Sequence, residues 1–157
     1  MQALHSGEDF ALMGWIWALL NLALVVASVI VPLFFHLPRG YVIAAATLLR
    51  ASMLALAAVA PSLAPAIVGF LLFEFGFGLT EPLMLGWMNA HAGSERRATV
   101  LSVRQMSFTL GGAVGLVVFG VVARDHGIPV VWLIAAGTLA ATAAGFALVG
   151  SREGRTP

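Results

Sequence analysis

The chain contains neither cysteine nor lysine, and it has few charges of either sign. Without cysteine, a disulfide framework and a thiolate metal site are both excluded. All eight basic residues are arginine, and a formal net charge of +1 leaves no basic stripe to hold a nucleic acid. Only 10% of the 157 residues are charged and 61% are hydrophobic, where soluble domains average about 25% and about 45–50%. The mean hydropathy is +0.99. Folded in water, such a chain would leave long apolar helical faces exposed. Hydrocarbon is the solvent that fits.

What is present is a succession of apolar runs. Five occur, over residues 11–35, 41–60, 66–88, 98–123 and 130–149. Each is long enough to cross a bilayer, which takes about 20 helical residues. Lipid cannot satisfy the backbone groups of open strands, so the runs are read as helices. The expected fold is therefore all-α, a polytopic transmembrane bundle of five spans. Residues 1–10 form a short extracytoplasmic tail and residues 150–157 a cytoplasmic one. The first ten residues carry Glu8 and Asp9 and lack the positive region of a secretory signal. Ser94 is placed to cap the fourth helix, Pro129 suits the first turn of the fifth, and Gly150 suits the position just past its end.

Arginine bias sets the orientation. Arg39, Arg96, Arg97, Arg152 and Arg155 fall on one side of a five-span chain and Arg124 alone on the other. The positive-inside rule then puts the N-terminus outside and the C-terminus in the cytoplasm, in a cell (inner) membrane.

Four ionisable residues lie inside the runs: Arg50, Glu74, Glu81 and Arg104. Burying each charge at the bilayer centre costs roughly 2.5–3.5 kcal/mol, so such groups pair or face water. Residues equidistant from a hairpin turn lie at equal depth. On that geometry Arg50 matches Glu74, near the midplane, and Glu81 matches Arg104, nearer the cytoplasm. Two ion pairs are expected, Arg50–Glu74 and Glu81–Arg104. Glu74 and Glu81, seven residues apart, share one helix face. They serve either as structural salt bridges or as a cavity wall where a carboxylate exchanges protons. Arg104 has the further option of reaching the headgroups.

Asn21 and Ser28 on the first span, and Gln105, Ser107 and Thr109 on the fourth, have the bland role of interhelical hydrogen bonding. Pro82 removes a backbone donor and should bend the third helix. The phenylalanines at 70, 73, 75 and 77 are read as packing, ahead of the alternative of an aromatic cage. Gly111 and Gly115 form a GxxxG, a face for close helix approach, and the alanines at 44, 51, 55 and 58 form another.

At the third-to-fourth hairpin the pattern becomes more particular. Glu81-Pro82, Trp87-Met88-Asn89, the stretch Glu95-Arg96-Arg97-Ala98-Thr99-Val100-Leu101-Ser102, the glycine-rich helix and Arg124-Asp125-His126-Gly127 follow in order. Together they resemble the C-terminal region of major facilitator superfamily transporters. The five spans align with helices eight to twelve of that family, over nearly the whole chain. Of the loop signature after helix eight only Arg39-Gly40 remain. The resemblance implies a substrate cavity between two six-helix halves, lined here by Asn21, Glu74, Glu81, Arg104 and Gln105. It implies a transporter of a small solute, with protons as one coupling option, acting by alternating access. Twelve helices are needed for that, so the chain is expected to be a fragment or a partial subunit. Its partners would be the lipid bilayer and a missing N-terminal half, another subunit or a second copy.

A membrane enzyme is disfavoured. His5, His36, His91 and His126 are scattered among tail and loops, Asp9 and Asp125 lie outside the spans, and no HExxH occurs. No cofactor and no metal are expected. The competing reading is a non-transporting membrane scaffold or assembly partner.

Overall fold

A computed structural model of the chain describes residues 7–153, with side chains over 11–151. The expectations placed on the two tails, including Arg152 and Arg155 in the arginine bias, lie outside the described side chains. The elements are α1 (Gly7–Ile30), a 3-10 turn (Val31–Phe34), α2 (Arg39–Ala58), α3 (Leu63–His91), α4 (Arg97–His126) and α5 (Ile128–Glu153). All five α-helices are long and apolar enough to cross a membrane, and the chain is a multi-pass helical bundle.

Several ends differ from those read off the runs, each for a local reason. The first run was expected as one span, yet its α-helix stops at Ile30 and tightens into the 3-10 turn. Pro32 has no N–H to return to the carbonyl one turn earlier. Ser94 does not cap α4. The Arg96 amide closes a turn on the Gly93 carbonyl at 2.9 Å, and the first helical bond runs from the Val100 amide to the Arg96 carbonyl at 3.0 Å. Gly150 lies inside α5, not past its end, because its missing side chain is used sideways, as described below. Pro129 does sit in the first turn of α5. Between α4 and α5 there is almost no loop. Gly127 alone makes the turn, with φ 85°, a value that an L side chain rarely adopts.

The helices make a row of contacts in the order α1, α3, α2, α5, α4. Small residues set the closest crossings, as expected where lipid gives no hydrophobic drive between helices. A Cβ added at Gly40 would stand 2.5 Å from the Gly150 nitrogen, so α2 and α5 meet nearly backbone to backbone. One at Gly78 would stand 2.3 Å from the Leu24 carbonyl oxygen, which fixes α3 on α1. The alanine face of α2 also packs as read, with Ala44 and Ala51 buried and Ala55 and Ala58 half-buried. A core of Ala27, Val31, Val42, Ile43, Ala46, Leu79 and Leu83 joins α1, α2 and α3.

The GxxxG of α4 is not used in this way. A Cβ at Gly111 would meet nothing within 4 Å, and one at Gly115 only the ring of Phe119 on its own helix. No residue of α4 is buried.

Candidate functional site

Six polar residues of α2, α3, α4 and α5 line one pocket of about 240 Å³: Thr47, Arg50, Thr80, Glu81, Arg104 and Thr142. Helical spacing builds each wall. Ile43, Thr47 and Arg50 line it from α2, and Leu139, Thr142 and Phe146 from α5, both sets at three- and four-residue intervals. From α3 come Phe77, Thr80, Glu81 and Met84, and from α4 Arg104 alone. Two other hollows, of about 580 and about 570 Å³, are larger but have no polar or charged side chain in their lining. Chemistry is concentrated in the smaller one.

The expected Glu81–Arg104 pair is formed. An Arg104 Nη2–H donates to Glu81 Oε1, joining α4 to α3 across the pocket wall. Elsewhere α3 and α4 touch little, so this charge-assisted bond is a principal link between them.

The expected Arg50–Glu74 contact is not made. Equal depth brings Glu74 near enough for its charge to act on Arg50, as does that of Glu81, but Arg50 forms no salt bridge among the described residues. Its guanidinium carbon lies 4.7 Å from the centre of the Phe73 ring and 4.9 Å from that of Phe77. The aliphatic stem crosses Gly76, where a Cβ would fall 2.5 Å from Arg50 Cγ. The aromatic residues of α3 are thus more than packing. Two of them hold a cation by their ring faces, which attract positive charge. Phe70 and Phe75 pack instead: Phe70 stands edge-on to Trp132 of α5 at 4.9 Å, and Phe75 lies against the apolar core. Arg50 Nε is buried and has no hydrogen-bond partner among the described residues.

Of the other residues expected at a cavity, none lines this one. Asn21 is exposed on α1 and donates back to the Trp17 carbonyl at 2.8 Å, and Ser28 donates to the Val25 carbonyl at 2.8 Å. Both bonds are intrahelical, where interhelical ones were expected. A polar side chain within reach of its own preceding turn satisfies itself there first. Gln105, Ser107 and Thr109 are exposed on α4. Glu74 is half-buried and outside the pocket.

The pocket also contains residues that sequence reasoning passed over: Thr47, Thr80 and Thr142. Thr80 donates to the Phe77 carbonyl at 3.0 Å and Thr142 to the Thr138 carbonyl at 2.8 Å. The available signal was position for two of them, Thr47 about one helical turn from Arg50 and Thr80 beside Glu81, while Thr142, one of several hydroxyls on α5, carried none.

No protein-family model, curated protein or solved structure matches this chain. What the site does must be argued from its own chemistry. Three charged side chains and three hydroxyls ring a small space among helices that are mostly apolar. Such a space can hold a polar solute and shield it from hydrocarbon.

Proposed function

We propose that the chain is part of a secondary transporter that moves a small solute across the cell membrane by alternating access. The arrangement proposed is that of helices eight to twelve of a major facilitator superfamily protein, with the N-terminus outside and the C-terminus in the cytoplasm. The complementary helices would come from further sequence, another polypeptide or a second copy. The observation that carries the reading is the charged pocket between α2, α3, α4 and α5. Ionised groups inside a membrane are costly, and where they gather around space rather than only neutralising one another they mark solute or ion pathways. Helix α3 contributes Glu81 to the pocket and carries Pro82 at the next position, an irregularity of the kind found at transporter sites.

The test is a flux assay on the full chain in proteoliposomes, alone and with co-expressed candidate partners, under an imposed pH gradient. Saturable uptake that Arg104→Ala abolishes is the expected result. Insertion in the stated orientation, with no uptake of any solute class under any partner condition, would reject transport. A second reading, a membrane scaffold or assembly partner, is favoured by α4, whose whole length is unburied and whose glycines stand open. It requires oligomerisation to depend on that helix and flux to be absent.

A further inference from the structure

We infer that the pocket binds one small organic anion and that Arg50 receives its acidic group. The inference deepens the transport reading and rests on it for its biological purpose, though the chemistry can be measured separately. Among the ionised residues in the lining, Arg104 and Glu81 engage each other, which leaves Arg50. Glu74 acts on Arg50 from outside the pocket and without contact. Glu81 acts on Arg50 as well, and the charged lining residues, Arg50, Arg104 and Glu81, leave one net positive charge on the pocket wall.

The surroundings of Arg50 make the recognition directional. Phe73 and Phe77 stand against its guanidinium, so its remaining hydrogen-bonding capacity lies along the N–H edge. That edge includes a buried Nε–H with no acceptor among the described residues. That Nε–H is sealed from the pocket, so a carboxylate there meets the terminal Nη groups, whose edge matches its two oxygens. Thr47, on the same face of α2, brings a hydroxyl to the same wall. The rest of the space is bounded by apolar side chains such as Phe146 and Leu139 and by Thr80 and Thr142, whose hydroxyls already donate within their own helices. A volume of about 240 Å³ is below the 300–1,000 Å³ of drug-sized sites, so the ligand is a monocarboxylate with a compact apolar body.

The experiment measures equilibrium binding of radiolabelled benzoate and acetate to the purified full chain in non-ionic detergent. Benzamide, benzylammonium and phosphatidylglycerol serve as competitors. Saturable binding of a carboxylate is expected, with benzamide and benzylammonium at least tenfold weaker and phosphatidylglycerol without effect. Arg50→Gln should weaken benzoate at least tenfold, and Arg50→Lys less than that. Glu81→Gln frees Arg104 and should tighten benzoate several-fold, which keeps the inference testable should Arg50→Gln not fold. The inference is overturned if neither carboxylate saturates, if benzamide competes as well as benzoate, or if phosphatidylglycerol displaces it and the site is a lipid's. Weaker benzoate binding in a folded Glu81→Gln protein would also overturn it. Benzoate bound but never carried would remove the transport reading and leave the anion site standing. Flux of a neutral or cationic solute without carboxylate binding would do the reverse.

Discussion

Arg50 and Arg104 have the same charge and meet it in different ways. Arg104 has a carboxylate across the helix interface, while Arg50 has two aromatic faces and a distant carboxylate. Removing one partner of the first pair leaves the other charged in a poorly solvated place. For fully buried pairs that costs about 3–5 kcal/mol. Here the Arg104 and Glu81 side chains keep 22% and 35% of their exposure. Glu81→Ala should therefore lose less, about 1–2 kcal/mol, seen as a lower melting temperature in detergent. The exchanged pair Glu81→Arg with Arg104→Glu should recover most of that loss. If the exchange is no better than the single change, the pair is not what holds α4. For Arg50, Phe77→Leu keeps the apolar contact and removes one ring face, at a cost of about 0.5–2 kcal/mol.

At the scale of the helix, glycines of similar sequence context have opposite roles. Gly78→Ala drives a methyl into the Leu24 carbonyl, and Gly40→Ala drives one into the backbone at Gly150. A backbone obstacle cannot rotate away, so each should destabilise by about 1–3 kcal/mol, measurable by thermal unfolding in detergent. Gly111→Ala and Gly112→Ala meet no atom within 4 Å. Alone, they should gain about 0.5–1 kcal/mol from helix propensity. Should either instead weaken self-association in cross-linking or sedimentation, a second helix covers that face.

The spans themselves were legible in the sequence, because apolar length is a property of the run alone. Depth was legible too, and it correctly matched Glu81 with Arg104. Rotation about the helix axis was not. It decides that Asn21 and Gln105 face away from the pocket, that the threonines at 47, 80 and 142 face into it, and that Arg50 settles between rings. The GxxxG shows the same limit. Spacing shows that two glycines share a face but cannot show what lies opposite.

For the molecule as a whole, the polar pocket sits between four helices and one of the four, α4, contributes a single side chain to it. The absence of cysteine makes topology directly measurable, since any introduced thiol is unique. With the proposed orientation, Ser94→Cys should react with an impermeant maleimide only after permeabilisation, and Asp125→Cys should react in intact cells. The opposite pattern would invert the bundle. Arg124 and Asp125 themselves form an exposed pair at 3.0 Å, worth about 0–1 kcal/mol, so the substitution should leave the fold intact.

The near-contact of Gly40 with Gly150 also constrains the order of biosynthesis. The second span finds its closest neighbour in the fifth, which leaves the ribosome more than a hundred residues later. Until then its small-residue flank has to be sheltered by lipid or by the insertion machinery. A nascent chain stopped before residue 128 should consequently remain bound to that machinery, or be degraded, while one released after the fifth span should not.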